Sequence, residues 1–199
     1  MEFWSALIGA IVGGAATFAA SAWQTRRLLN HERQMAQDAR SDAAAAQRRE
    51  EQRAAASTLV AEVANLLTWR EHEIGGGMTN DRWSRFDQTI LAMKVLEAGT
   101  APLASAEPRG RWSHLVSLAE EFRRRPVVTD ESNATKGSWT RETKTRAAHD
   151  LLRYARYTRD TLIASMDGVQ VPDEIPPPEL NRAEARVWNW DPSQTERGW

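Results

Sequence analysis

The feature that most constrains this chain is an uncharged run near its start, from Phe3 to Trp23. As a helix, its 21 residues extend about 32 Å, and the hydrocarbon core of a bilayer is about 30 Å thick. Trp4 and Trp23 stand at the two ends, where the headgroup layer favours amphipathic rings. A run this long and this free of charge is uncommon in a chain whose remainder is so polar. The sequence therefore predicts a transmembrane anchor in residues 1–23.

The charges that flank the run distinguish a retained anchor from a cleaved secretory signal. A signal peptide starts with basic residues and ends at a small-residue cleavage site, which Ala20-Ser21-Ala22 would imitate. Here only Glu2 precedes the run, whereas Arg26 and Arg27 follow it. Because positive residues stay on the cytoplasmic side, we expect a single-pass protein of the cell membrane with its N-terminus outside and its C-terminus in the cytoplasm. An exported helical protein with a cleaved signal peptide is the alternative.

A face of small residues runs along the predicted membrane helix. Its members recur every four residues: Ser5, Gly9, Gly13, Thr17 and Ser21. Small side chains let helix backbones pack closely in lipid, and two of these glycines form a GxxxG pair. The face predicts a homo-oligomer, or pairing with another membrane helix. The residues predicted to anchor the helix at the two membrane interfaces are Trp4, Trp23, Arg26 and Arg27.

Residues 24–56 are predicted to continue the membrane helix as a juxtamembrane spacer. Glu, Gln, Arg and Ala dominate this stretch, all of them good helix formers, and it contains no Gly or Pro. Leu28 and Met35 begin a coiled-coil seam, but Asp42 and Arg49 fall on its continuation. An exposed spacer helix is the interpretation we adopt, with a weak Ala-rich coiled coil as the alternative.

Residues 57–168 show four amphipathic stretches with helical spacing of apolar residues. Their predicted inner faces are Leu59, Val60, Val63, Leu66, Leu67 and Ile74; Trp83, Phe86, Ile90, Met93 and Leu96; Trp112, Leu115, Val116, Ala119 and Phe122; and Leu151, Leu152, Ala155, Thr158, Leu162 and Met166. Period-two alternation is scarce, so no sheet is expected beyond an isolated pair. The predicted fold is all-α: an antiparallel bundle of about four helices in the cytoplasm.

Local signals mark the helix ends. Asn80 or Asp81 is predicted to cap the second helix. Ser138 is predicted to cap a fourth, which runs from Trp139 to about Asp167 and is ended by Gly168. The run 123–125 of three arginines precedes Pro126, and cations suit the carbonyl end of a helix. We prefer that interpretation of the run to a phosphate site.

The tail, residues 169–199, is predicted to be irregular, because Pro172, Pro176, Pro177 and Pro178 make it extended and stiff. Trp188, Trp190 and Trp199 are unusual on so polar a segment. They are candidates for contact with a protein partner. The alternatives are that they dock on the chain's own bundle or lie in the membrane interface.

The residues that carry chemistry form no catalytic pattern. The chain has no Cys, which excludes thiol catalysis and cysteine metal sites. The stretch from His72 opens like HExxH but has no second His at the required spacing. His149 and Asp150 are neighbours, and neighbours on a helix point to different faces. Glu120 and Glu121 lack the Glu-x-x-His partners of a bundle carboxylate site. We expect no catalytic residue, metal or cofactor.

Nucleic acid is not an expected partner, since the formal net charge is −1. Basic and aromatic residues alternate only loosely, at Arg153, Tyr154, Arg156, Tyr157 and Arg159. We interpret that stretch as a solvated helix face with tyrosines at its boundary.

The function expected from these features is interaction at the membrane: a non-enzymatic scaffold, tether or regulator that acts on a protein partner of unknown identity. A membrane-tethered sensor that holds a small ligand between its helices is the alternative. An enzyme would need a cluster that sequence separation hides, for example of His114, Glu120 and His149.

Overall fold

A computed structural model of the chain describes residues 2–69, 79–100, 103, 106–127, 138–180, 188 and 190, without the side chains of residues 2–20, 22 and 99. This part of the chain contains four α-helices and no strand, which confirms the predicted all-α class. The helices are α1 (Glu2–Leu67), α2 (Asn80–Glu97), α3 (Ala106–Arg124) and α4 (Arg141–Asp167). A 3-10 turn, Ala98–Thr100, follows α2.

The chain divides into two units, Met1–Arg49 and Glu50–Trp199. The first unit belongs to α1, and its described side chains are exposed almost throughout. Hydroxyl groups there bond to the helix itself: Thr25 Oγ1 donates to the Ser21 carbonyl at 2.8 Å. Good helix formers and the absence of Gly and Pro explain why the exposed polar residues 24–49 are helical.

The structure does not describe the side chains of most residues in the predicted anchor. This applies to Trp4 and to Ser5, Gly9, Gly13 and Thr17 of the small-residue face. Ser21, Trp23, Arg26 and Arg27 are described, and their side chains are exposed. Among the residues that the structure describes, no helix has the length and hydropathy needed to span a bilayer.

The second unit is a helical bundle built from the end of α1 and from α2, α3 and α4. All predicted inner-face residues that the structure describes are buried or half-buried; Ile74 lies outside the described residues. Aromatic rings in edge-on contact connect the helices through the core. Phe86 of α2 lies 5.8 Å from Trp69 and 5.9 Å from Phe122 of α3, measured between ring centroids.

Two predicted helix starts are wrong by one or two residues. The N-cap of α2 is Thr79 rather than Asn80 or Asp81. The N-cap of α4 is Thr140, whose hydroxyl accepts a hydrogen bond from the Thr143 N–H at 3.2 Å, so that Ser138 is not the cap.

The later start of α4 has a physical cause in the residue that precedes its cap. Trp139 forms an isolated bridge with Val127, and its N–H donates to the Pro126 carbonyl at 2.9 Å. This pairing holds Trp139 in an extended conformation, which delays the first helical turn. The predicted end of α4 is confirmed: Gly168 is the C-cap, with a φ of 68° in the left-handed region that favours glycine.

Candidate functional site

Ion pairs join α2 to α3 on the outside of the bundle. Asp87 accepts two hydrogen bonds from Arg123, at 2.5 and 3.0 Å. Lys94 lies 2.5 Å from Glu120, and its hydrogen bond is the main reason that the pKa of Glu120 is lowered. The three arginines at the end of α3 thus each contact a carboxylate, with Arg125 paired to Glu121 at 3.5 Å. Arg124 pairs with Glu120, which lies one turn earlier in the same helix.

A buried lysine lies between α3 and α4. Lys144 is only 1% exposed, and its Nζ donates to the Phe122 carbonyl and, at 2.8 Å, to the Arg125 carbonyl. Its ammonium group thus caps the C-terminal end of α3, where carbonyl groups lack helical partners.

Three aromatic rings surround the same ammonium group. Nζ of Lys144 lies 3.9 Å from the centroid of Phe122, 5.1 Å from that of Trp139 and 5.4 Å from that of Trp83. Burial lowers the pKa of Lys144 to about 7, and the neighbouring charge of Arg123 contributes in the same direction. Cation–π contacts and carbonyl dipoles replace water here.

A second buried cation fastens the tail to the bundle. Arg111 of α3 is 5% exposed and donates to Thr161 Oγ1 at 2.5 Å and to the Pro172 carbonyl at 2.7 Å. Its guanidinium carbon lies 4.4 Å from the ring centroid of Tyr157. One side chain therefore connects α3, α4 and the first part of the tail.

Tyr157 extends this connection along the tail. Its hydroxyl donates to the Asp173 carbonyl at 2.5 Å and accepts from the Ile175 N–H at 3.1 Å. Burial raises the pKa of Tyr157, so the phenol stays protonated and can fill both roles. The sequence placed Tyr154 and Tyr157 at the boundary of a solvated face, but both rings are buried because the tail covers them.

The tryptophans of the tail pack on α4. Trp188 is 7% exposed and lies 5.4 Å from Tyr154 and 5.7 Å from Tyr157 between ring centroids, and Trp190 lies 5.3 Å from Tyr157. Trp188 and Trp190 therefore dock on the chain's own bundle, which was one of the alternatives predicted from sequence. Trp199 lies outside the described residues.

Polar groups set the register of Trp188. Its backbone N–H donates to Asp150 Oδ1 at 2.9 Å, and its indole Nε1 donates to the Pro176 carbonyl at 2.8 Å. His149 Nδ1 lies 3.7 Å from the same Asp150 oxygen, which is too far for a hydrogen bond. The two side chains are nevertheless closer together than expected for helix neighbours, which point to different faces. We call the hydrogen bonds that Trp188, Arg111 and Tyr157 form between the bundle and the tail the tail clasp.

A groove runs along the outer side of the clasped tail. It holds about 650 Å³ and is lined by His114, Ser117, Leu118 and Glu121 of α3 and by residues 176–180 of the tail. The floor is apolar, because Leu118 and Leu180 are buried, while Ser117 and His114 lie at the exposed edge. The groove therefore combines an apolar floor with a polar edge.

The titratable residues named from sequence have separate surroundings. His114 lines the groove, Glu120 pairs with Lys94, and His149 lies beside Asp150. Among the residues that the structure describes, no group of three His, Asp or Glu side chains is arranged to hold a metal ion. The geometry supplies buried cations that fasten segments together, and one open groove beside the tail.

No known protein family matches this chain, and no curated protein or solved structure matches it at a significant level.

Proposed function

We propose that this chain is a single-pass membrane protein whose cytoplasmic domain, an antiparallel helical bundle, binds a protein partner as a scaffold, tether or regulator without enzymatic activity. The observation that carries the proposal is the charge order around the uncharged run, with Glu2 before it and Arg26 and Arg27 after it. The unbroken helix α1, Glu2–Leu67, supports it, because it offers a continuous connection from the run to the bundle.

The tail clasp supports the same proposal. Buried Arg111, Tyr157 and Trp188 use their polar groups to hold the tail, so these groups serve structure rather than chemistry. The tail in turn forms one wall of the groove beside α3. We assign this groove, rather than the buried tryptophans, as the surface that contacts a protein partner.

Two measurements on membranes test the proposal. An anchor that stays predicts that the full chain resists extraction at alkaline pH and keeps its first residues when its mass is determined. A mature protein that begins near Trp23 would contradict the anchor and favour the exported alternative.

The partner surface is tested by crosslinking in intact membranes. A photoreactive residue at Ser117, an exposed position in the groove, should yield a discrete crosslinked species. The matched control is the same residue at Arg124, which is exposed on α3 but outside the groove. Equal crosslinking at the two positions would contradict the assignment of the groove.

A further inference from the structure

The first turns of α1 after the uncharged run form an exposed cationic face. A shallow hollow there is lined by Trp23, Gln24, Arg26, Arg27, Leu28, Asn30, His31 and Gln34. All these side chains are exposed, and no Asp or Glu occurs among the residues that line the hollow in the described part of α1. The guanidinium carbon of Arg27 lies 5.4 Å from the ring centroid of Trp23, so the aromatic group and the cation form one surface.

Helical geometry explains why the face carries no acid. Residues 4, 7 and 11 positions after Trp23 return to its side of the helix, and these are Arg27, Asn30 and Gln34. Glu32, the first acidic residue after the run, lies nine positions after Trp23, which is two and a half turns and therefore the opposite side.

Asp38, the next acidic residue, is too far along the helix to offset the charge of Arg26 and Arg27. Asp38 returns to the cationic side, but at about 1.5 Å per residue it lies about 22 Å from Trp23 along the helix. Arg27 lies about 6 Å from Trp23 on the same measure. Charges are screened over about 8 Å at physiological ionic strength. A membrane surface at the level of Trp23 therefore interacts with Arg26 and Arg27 and hardly at all with Asp38.

We infer that this face binds anionic lipid headgroups on the cytoplasmic surface, with Trp23 at the headgroup level and with Arg26 and Arg27 donating hydrogen bonds to lipid phosphate. A guanidinium group presents paired donors that match the oxygens of a phosphate. A juxtamembrane cation is attracted by the negative surface potential of the leaflet. The inference rests on the proposed function, since it requires that the uncharged run be in the bilayer.

The absence of Cys makes a site-specific test possible in the full chain. Asn30→Cys, in the hollow, and Leu29→Cys, its exposed neighbour about 100° farther around the helix and outside the hollow, each carry one spin label. The full chain is reconstituted in vesicles of phosphatidylcholine alone or of phosphatidylcholine with phosphatidylglycerol. The measurement is the accessibility of each label to a water-soluble paramagnetic reagent.

The inference predicts that the accessibility of the label at Asn30 falls at least about twofold in the anionic vesicles, and that the label at Leu29 changes less. Adding salt should reverse the fall, because the attraction is screened. The double variant Arg26→Gln/Arg27→Gln should abolish it, whereas the control Arg48→Gln/Arg49→Gln, farther along α1, should retain it.

Equal accessibility of the Asn30 label in the two lipid mixtures, or a fall that persists in Arg26→Gln/Arg27→Gln, would overturn the inference. Retention of the chain by vesicles at alkaline pH separates this result from failure of the anchor. If the chain stays in the vesicles and the label does not respond, the membrane anchor stands and the lipid site does not. If alkaline pH removes the chain from vesicles of phosphatidylcholine alone, the anchor fails, and the lipid site fails with it.

Discussion

The carboxylate of Asp150, buried on α4, accepts a hydrogen bond from the backbone N–H of Trp188 at 2.9 Å. The two residues are 38 positions apart in sequence, so this bond closes a long segment onto the bundle. It fixes the tail where the Trp188 ring meets Tyr154 and Tyr157. The described residues of the tail therefore fold together with the bundle.

Replacing Asp150 with Ala should lower the free energy of unfolding by about 1–3 kcal/mol. The variant leaves the buried N–H of Trp188 without this acceptor, and a buried donor that loses its partner costs about that much. The measurement is urea unfolding of the full chain in detergent micelles. Asp160→Ala, which removes a partly exposed carboxylate paired with its neighbour Arg159, should change the free energy by less than about 0.5 kcal/mol. Equal effects of the two variants would contradict the role of Asp150.

Arg111, the buried cation of the tail clasp, gives a graded prediction. Arg111→Met should destabilise the bundle by about 2–3 kcal/mol, because Thr161 Oγ1 and the Pro172 carbonyl both lose a charged donor. Arg111→Lys should recover part of the loss, since an ammonium group cannot reproduce the fork of a guanidinium. Thermal unfolding of the variants ranks them. Arg124→Met, at an exposed position, is the control, and a loss as large as that of Arg111→Met would refute the assignment.

The buried ammonium of Lys144 predicts a pH dependence with a definite sign. In the folded chain the pKa of Lys144 is about 7, against 10.5 for the free side chain. Between these values the unfolded chain binds more protons, so removing protons favours the folded state and stability rises with pH. One proton corresponds to at most about 1.4 kcal/mol per pH unit.

Comparison with Lys144→Met isolates this contribution from the other titrating groups. The free energy of unfolding of the natural chain, relative to that of the variant, should rise on the order of 1–2 kcal/mol from pH 7 to pH 9. Denaturant unfolding at several pH values measures the difference. Parallel pH profiles for the two proteins would show that Lys144 keeps its proton throughout.

Substitution of two glycines by alanine should change the stability of the bundle in opposite directions. Gly168 has a φ of 68°, where a Cβ is strained, so Gly168→Ala should destabilise the bundle by about 1 kcal/mol. Gly110 lies within α3, and a Cβ there would meet nothing within 4 Å. Gly110→Ala should therefore stabilise the bundle by about 0.5–1 kcal/mol, because alanine loses less entropy in a helix. Melting temperatures of the two variants that shift in the same direction would contradict this account.

The helices and their inner faces could be predicted from sequence because both follow from local spacing. Phe86, Ile90 and Met93 recur with helical period, and all three are buried in the core, as that pattern predicts. Gly168 was recognisable as a helix end for an equally local reason. The start of α4 was not, since Trp139 is held extended by a bridge to Val127, a contact outside the local pattern.

The tail clasp could not be predicted in the same way. Arg111 and Pro172 are 61 positions apart, and nothing near either residue indicates that the other is its partner. The three tryptophans signalled that the tail contacts something, but packing on itself, on lipid or on a partner gives the same sequence pattern. Lys144 also lacked a signal, because its aromatic surroundings come from α2, α3 and the segment before α4.

The most direct test of the central claim is the membrane side on which the bundle lies. Thr145 is exposed on α4, and the chain has no Cys, so Thr145→Cys introduces a single thiol. A maleimide reagent that cannot cross membranes is added to intact cells and, in parallel, to cells whose membrane has been opened. A cytoplasmic bundle predicts labelling only after opening. Labelling of intact cells to the same extent would contradict the orientation and, with it, the proposed place of this protein.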